Sequence, residues 1–290
     1  MVLNMKLIEL LKNEEKKALS LGKEESAVVL YLMHVTGYSA SELYVHINDK
    51  ASNEVLEKFE TEFSKYLYEN KPIQYIVGYQ TFYGYDYVVD ERVLIPRYET
   101  EELVENVILL YDEYFAGEKV NVCDIGTGSG AIAITLALEE PNMSVMASDI
   151  SEEALEVAAV NNKKYNANVK FLLGDMVEPL YGNKFDIIVS NPPYIPDSEH
   201  VMSLVKDNEP NIALFGGNDG LKFYRIIVEN VCKIAKEKFI LAFEHGYNKN
   251  KEIEELILSH YPNAKVIHKK DMQGKDRMSF AIVGDFGGIK

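Results

Sequence analysis

No apolar run in this chain is longer than a strand. A helix that crosses a bilayer needs roughly 20 apolar residues, so no segment here reads as a membrane span. The opening Met1-Val2-Leu3-Asn4-Met5-Lys6 soon becomes a charged amphipathic pattern, without the apolar core and cleavage site of a signal peptide. Cysteine is scarce as well. Cys123 and Cys232 are too few for a metal framework, and both sit in apolar sequence, so they read as buried, reduced thiols. The six histidines and the scattered acids lack metal-ligand spacing, which predicts no metal; His34 and His46 read as surface or core-satisfied residues. Positive charge is in deficit, 30 Lys and Arg against 46 Asp and Glu, for a net charge of −16. Duplex nucleic acid is held largely through phosphate neutralisation, so this balance argues against such a partner unless a local basic patch exists. An acidic surface suits a basic protein partner, through steering more than affinity. Repeats and low-complexity segments are missing too. What remains is a cytoplasmic globular protein, 47% hydrophobic and 26% charged, with enough of its 290 residues for one large or two moderate domains.

Residues 1 to about 70 show helical periodicity. Leu3, Leu7, Leu10 and Leu11 form one stripe, and Val28, Leu32 and Val35 a second that closes at Gly37. Ser39 and Glu42 have capping-box spacing. Val55, Leu56, Phe59, Phe63, Tyr66 and Leu67 form a long stripe that ends before Pro72. This predicts a bundle of about four helices over 1–72, a packed cap or a docking module. Residues 73–96 change character: Val77 to Val89 is aromatic and β-branched with Gly78 and Gly84 interspersed, which predicts a β-hairpin linker. Its tyrosines fit a ligand box or a packed hairpin face equally well. Over 97–290, strand-like runs (Val120–Asp124, Ser144–Asp149, Val169–Leu173, Phe185–Ser190, Phe239–Glu244) alternate with helical stretches (Ala131–Glu139, Glu152–Asn162, Leu221–Ala235, Asn250–His260). The alternation predicts an α/β fold with a mostly parallel sheet covered by helices, and Lys265–His268 with Ser279–Val283 an antiparallel edge pair.

Two motifs carry chemistry. Asp124-Ile125-Gly126-Thr127-Gly128-Ser129-Gly130 follows a strand and precedes an apolar helix. Its glycines let the backbone turn tightly and approach a ligand, and the helix start points N–H groups at it. Nicotinamide and flavin folds use related loops, but the Gly-x-Gly-x-Gly spacing differs from the dinucleotide Gly-x-Gly-x-x-Gly and favours an S-adenosylmethionine site. Asp149, at the end of the next strand, is placed either to accept both ribose hydroxyl protons or to cap the helix at Glu152. Asp175 and Met176 follow the third strand, where they meet an adenine ring or simply make a turn.

Asn191-Pro192-Pro193-Tyr194 comes directly after the fourth parallel strand, at the carboxyl edge where open sheets bind ligands. A planar amide or exocyclic amine is a poor nucleophile because its lone pair is delocalised. It reacts when both N–H bonds are held and the nitrogen is aimed at the methyl carbon. Asn191 offers a side-chain carbonyl, Pro192 a main-chain carbonyl, Pro192-Pro193 an extended path without competing N–H groups, and Tyr194 a stacking face. In isolation the tetrapeptide is also compatible with a rigid turn. After a cofactor loop, in this order, it predicts methyl transfer to nitrogen.

With those residues in view, the chain resembles the PrmC/HemK family of protein glutamine methyltransferases, from about Pro72 to Val283. Pro72-Ile73-Gln74-Tyr75-Ile76-Val77-Gly78, Val93-Leu94-Ile95-Pro96-Arg97 with Glu99-Thr100-Glu101, Asn208-Glu209-Pro210, Ala213-Leu214-Phe215-Gly216-Gly217 and Asp219-Gly220-Leu221 are similar to its signatures. The resemblance implies a class I, Rossmann-like methyltransferase fold behind an N-terminal helical domain that docks the substrate. It implies S-adenosylmethionine as cofactor, S-adenosylhomocysteine as product, and methylation of the Gly-Gly-Gln glutamine of class I peptide-chain release factors; charge and run length add the expectation of no direct nucleic-acid or membrane contact, and a monomer is expected. Asn191, Pro192, Pro193 and Tyr194 would hold the glutamine, with Asn191 also bordering the cofactor. Asp124, Gly126, Thr127, Gly128, Ser129, Gly130, Asp149, Asp175 and Met176 would hold the cofactor. Tyr98 stands where the family usually has proline, Lys249 where a glutamine usually follows Glu244-His245-Gly246, and Met176 where some members have an aromatic residue. The runner-up is an amino-methyltransferase of DNA or RNA bases, which faces the same chemical problem. A cofactor-binding protein without turnover and a small-molecule methyltransferase are the remaining alternatives.

Overall fold

The computed structural model describes residues 5–286, so Leu3 of the first helical stripe lies outside the described residues. The chain forms two compact units, residues 1–79 with 201–208, and residues 80–200 with 209–290.

The first unit is helical. It contains α1 (Leu7–Ser20), α2 (Ser26–Thr36), α3 (Ala40–His46), α4 (Asn53–Lys58), α5 (Ser64–Tyr68) and α6 (Ile73–Val77). Ser39 and Glu42 make the reciprocal capping box that starts α3, and Gly37 ends α2 in the left-handed conformation. Helices α4 and α5 are joined by one π turn, Phe59–Phe63. The sequence explains it. Val55, Phe59 and Phe63 repeat every four residues, and a 3.6-residue helix would rotate such a stripe off the core. Widening one turn absorbs the drift, so Val55, Phe59, Phe63, Tyr66 and Leu67 are all buried, packed with Val28, Tyr31 and Leu32 of α2.

The second unit begins with a hairpin, β1 (Tyr79–Phe82) and β2 (Tyr85–Val88), followed by α7 (Tyr98–Phe115) and then the alternating elements. These are β3 (Val120–Ile125), α8 (Ala131–Glu139), β4 (Met143–Asp149), α9 (Glu152–Tyr165), β5 (Lys170–Leu173) and β6 (Phe185–Ser190). After α10 (Ser203–Lys206), in the segment that belongs to the helical unit, come α11 (Lys222–Ile234), β7 (Ala235–Glu244), α12 (Asn250–His260), β8 (Lys265–Lys270) and β9 (Asp276–Val283). The sheet runs β5-β4-β3-β6-β7-β9-β8, parallel through β7, with β9 antiparallel to both β7 and β8. Strand order reverses at β3, with β4 on one side and β6 on the other, and that switch point is where open parallel sheets bind ligands.

Both faces of the sheet are covered, so the central strands carry near-continuous apolar runs: β6 is buried at every position, its Asp186 and Ser190 included. One face packs under α7, α8 and the hairpin, where Phe82 and Tyr87 join Leu103, Val107 and Ile134 in a single core. The other packs under α11 and α12 through Tyr224, Ile227, Val231 and Ile253. The hairpin tyrosines are a packing face: Tyr87 exchanges a hydrogen bond with Thr135 (2.7 Å), and Tyr85 donates to Glu139 and meets the Tyr165 ring edge-on. The cysteine expectation holds for Cys123 and fails for Cys232, which is exposed. Val228, Val231 and Ile234 form the buried stripe of α11, and Cys232 falls off it, toward solvent.

Candidate active site

Three strand ends converge at the switch point. Register pairs Ile125 with Ser148 on one side and with Ser190 on the other, so the residues that follow β3, β4 and β6 emerge side by side. Serines tie these ends together: Ser190 donates to the Ile125 carbonyl (2.7 Å) and Ser148 to the Met176 carbonyl (2.9 Å). Asn161 of α9 adds a third tie, pairing with both main-chain groups of Val88 and donating to the Ser129 carbonyl (2.9 Å), which joins the hairpin to the glycine loop. All of these groups are buried or nearly so, where an unmade hydrogen bond costs about 1–3 kcal/mol.

A cavity of about 280 Å³ opens above the converged ends. Gly126, Thr127, Gly128, Ser129, Asp149, Asp175, Met176, Asn191 and Pro193 line it. Asp124, Gly130, Pro192 and Tyr194 do not. Asp124 lies beneath the loop, fully buried, and accepts from the Thr127 hydroxyl (2.6 Å); its other oxygen has no partner among the described residues. Burial, with Asp149 nearby, pushes its carboxyl up to about 7. Gly130 is there for packing: a Cβ would sit 2.8 Å from Ile134 Cδ1 and 3.2 Å from Ala158 Cβ, and its φ of +82° starts α8. Tyr194 packs against the core that contains Tyr224 and Phe243, and burial raises its phenol well above the usual range.

Asp149 is not the helix cap; Ser151 is, accepting from the Ala154 N–H (3.1 Å). One Asp149 oxygen accepts from the Gly128 N–H (2.8 Å), the other from the Ser151 N–H (2.9 Å). A carboxylate offers about four acceptor positions, so these bonds leave acceptor capacity for ligand hydroxyls. Burial raises the Asp149 pKa, and the N–H donors of Ser151 and Gly128 pull it part of the way back.

Asn191 is oriented from below. Its Nδ2 donates to Thr100 Oγ1 (3.2 Å), and Thr100 donates to Glu244 Oε2 (2.6 Å). The side-chain carbonyl oxygen of Asn191 is thereby left for the cavity. Thr100 also lines the cavity. Both it and Glu244 belong to motifs singled out in the sequence, but neither was assigned to the site; a threonine inside an acidic helix start and a glutamate at the end of a buried strand were the available signals.

Residues 10–78 match the PrmC N-terminal domain family, and residues 116–280 match a methyltransferase domain family. The release factor glutamine methyltransferase of Bacillus cereus is 43% identical over 264 residues, covering 90% of this chain and 93% of that protein. That of Bacillus subtilis is 43% identical over 267 residues, covering 90% and 92%. The chain belongs to the release factor glutamine methyltransferase family. Among solved structures, a methyltransferase from Pyrococcus furiosus superimposes with a TM-score of 0.53 at 21% identity, over 78% of this chain and 100% of that one, which shows the shared fold.

The cavity fits the family's cofactor, S-adenosylmethionine. Gly126 and Gly128 have φ of +75° and +55°, and a Cβ on either meets nothing within 4 Å, so any side chain there would enter the cavity instead of packing. The departures from the family pattern are absorbed locally. Tyr98 is exposed at the first helical position of α7, a place where proline is favoured but not required. Met176 lines the cavity with φ of +44°, and Lys249 stands just before α12 and pairs with Glu252 (3.3 Å).

The segment 214–220 braces the tetrapeptide. Ile195 N–H donates to the Leu214 carbonyl (3.0 Å) and Gly216 N–H to the Ile195 carbonyl (2.8 Å). A Cβ at Gly216 would lie 2.4 Å from the Pro193 carbonyl oxygen and 2.9 Å from Tyr194 Cα; one at Gly220 would lie 2.3 Å from the Tyr194 carbonyl oxygen. These are backbone atoms that cannot rotate away. Gly216→Ala is therefore expected to cost about 1–3 kcal/mol, as overpacking does, and to lower kcat while cofactor affinity holds. Thermal melts and steady-state kinetics check this against Gly182→Ala, where φ is +86° but the space is open; that control should lose stability alone.

Proposed function

We propose that this chain methylates the side-chain amide nitrogen of the glutamine in the Gly-Gly-Gln motif of class I peptide-chain release factors, supporting translation termination. The observation that carries the reading is the Asn191 amide, turned by Thr100 so that its oxygen faces a cavity shared with the glycine loop. Gly126 to Ser129, Asp149, Asp175 and Met176 would hold S-adenosylmethionine, which supplies a methyl carbon on a positively charged sulfur and is released as S-adenosylhomocysteine. Asp124 would act through Thr127, and Gly130 through the start of α8. Asn191 Oδ1 accepts one N–H of the glutamine amide and the Pro192 carbonyl the other. Two acceptors set the direction of the nitrogen, and Pro193 keeps the turn extended with no N–H to compete. Bound there, the cofactor would give up that methyl group to the amide nitrogen and keep the electron pair of the broken C–S bond, and the surplus proton of the nitrogen would leave to water. Tyr194 closes the apolar side of the turn.

The helical unit is read as the docking module, with boundaries near 72 and 96 on either side of the linker, and the catalytic domain following. The net charge of −16 supports a protein partner over direct nucleic-acid contact. Among the described residues no helix is long and apolar enough to cross a membrane, and no group of three or more His, Cys, Asp or Glu is arranged to hold a metal. We further propose that the protein acts in the cytoplasm as a monomer.

The test is incubation with S-adenosylmethionine and a purified release factor, with methyl groups located by mass spectrometry. One methyl group on the Gly-Gly-Gln glutamine is expected. Transfer to ribosomal RNA or DNA, with none to the release factor, would overturn the reading.

A further inference from the structure

The hydrogen-bond chain below Asn191 has a direction, and its direction is set at the far end. Thr100 lies in the first turn of α7, and Glu244 ends β7, beside β6 and therefore beside Asn191. Both are buried, and the Glu244 main-chain carbonyl is itself occupied by the Tyr224 hydroxyl (2.7 Å). A threonine hydroxyl has one hydrogen to give. An ionised carboxylate only accepts, so that hydrogen goes to Glu244, and the Thr100 oxygen can then only accept. It can be satisfied by the NH2 side of Asn191 and not by the carbonyl side. The two faces of an asparagine amide are otherwise nearly equal in shape, so partners decide between them.

We propose that Glu244, acting through Thr100, is a positioning residue that holds the Asn191 amide with its carbonyl oxygen toward the acceptor amide. This rests on the reading of Asn191 as the residue that holds the glutamine. A proton on Glu244 reverses the chain: the carboxyl donates to Thr100, Thr100 donates to the Asn191 oxygen, and the NH2 group turns into the site. A donor then faces the N–H donors of the substrate, and the grip is lost.

The surroundings put that switch in a useful range. Burial pushes the Glu244 carboxyl up, the hydrogen bond from Thr100 and the charge of Arg277 on β9 pull it down, Glu99 of α7 adds to the rise, and the nearby Asn191 amide favours the ionised form slightly. Tyr194 beside it and Tyr224 of α11 both titrate far above neutrality, so they stay uncharged. The balance is about 7. Below that pH Glu244 is protonated and the relay reverses; above it the relay holds. The rate should therefore fall on the acidic side.

The experiment follows the side-chain NH2 resonances of nitrogen-15-labelled asparagine across neutrality, with kcat on the release factor measured in parallel. The Asn191 pair is assigned by its loss in Asn191→Ala. It is expected to shift across neutrality in the native protein and in Thr100→Ser, and to stay still in Glu244→Gln, whose kcat should be lowered and lack the acidic limb. Thr100→Val removes both bonds and should lower kcat about tenfold to 10²-fold, the scale of a small misplacement, with cofactor affinity unchanged and Thr100→Ser near the native value. An Asn191 signal that titrates identically in Glu244→Gln overturns the proposal, as does a Thr100→Val enzyme with native kcat and its acidic limb. If the native protein leaves the release factor unmethylated, the proposed substrate falls, while the resonances still decide the orientation.

Discussion

Asn191→Ala is expected to lower kcat on the release factor by about 10²–10³, the scale of losing one aimed polar group, with S-adenosylhomocysteine affinity within a few-fold of native. The geometry separates the two readouts. The groups that surround the cofactor end of the cavity, Gly126, Gly128 and Asp149, are held by bonds that do not pass through Asn191: Gly126 and Thr127 N–H groups both donate to the Ser148 carbonyl, and Asp149 is fixed by Gly128 and Ser151. Removing the Asn191 side chain therefore leaves that end intact. At the other end it removes the acceptor that, in the proposed function, holds one N–H of the glutamine amide, so the nitrogen would turn away from the methyl carbon. Alignment effects of this kind reach roughly 7–11 kcal/mol in total, so a loss of about 3–4 kcal/mol from one of two acceptors is proportionate. The variant also strands the Thr100 oxygen without a donor, which costs stability but not cofactor binding. Single-turnover kinetics with calorimetric cofactor titration make the check, and a collapse of cofactor affinity would reassign Asn191 to the cofactor.

The sheet was readable because its strands are buried on both faces and bounded by turn residues. The helix Asn250–His260 is found where periodicity places it, and the strands agree to within a few residues, except β7, which starts at Ala235 and not near Phe239. There Lys236, Glu237 and Lys238 mask a strand whose early residues are solvated, and Lys236 reaches Asp186 (2.7 Å). Helix α7 was not among the predicted elements, although Leu103, Val104, Val107, Leu110 and Tyr111 repeat at helical spacing. The π turn leaves its trace only in a stripe repeating every four residues. In the site, motifs disclosed residues that line the cavity, Asn191, Asp149 and the open glycines. They did not disclose what lies behind. Glu244 is 144 residues from Thr100 in sequence, and Asn161 is 73 from Val88; pairing over such distances depends on strand order, which alternation alone does not specify. The same limit explains Gly130 and Gly216, whose small size answers to Ala158 and Pro193, partners the chain reveals only when folded.

Asp149→Ala should show the reverse pattern, with cofactor affinity about 10²-fold weaker and kcat at saturating cofactor close to native. Hydrogen bonds to a charged group contribute about 1.5–3 kcal/mol each, and each 1.4 kcal/mol is tenfold in affinity, so losing two ribose hydroxyl contacts predicts roughly that factor even after partial replacement by water. A second effect adds to it. Gly128 and Ser151 N–H groups both end on this carboxylate, so alanine leaves two donors unpaired and frees the loop that must approach the cofactor. Asp149→Asn does not rescue the site, because an amide presents one acceptor to two N–H donors and turns its NH2 against the other. The ionised form is the better acceptor, and burial raises this carboxyl above its ordinary range. Cofactor affinity should accordingly be lost as pH falls through that raised value, at a higher pH than an exposed aspartate would allow, and the pH dependence should vanish in Asp149→Ala. Calorimetric titration with S-adenosylhomocysteine at several pH values tests both statements. Native affinity in Asp149→Ala would place the ribose elsewhere. A loss of kcat with affinity preserved would move Asp149 to the substrate side.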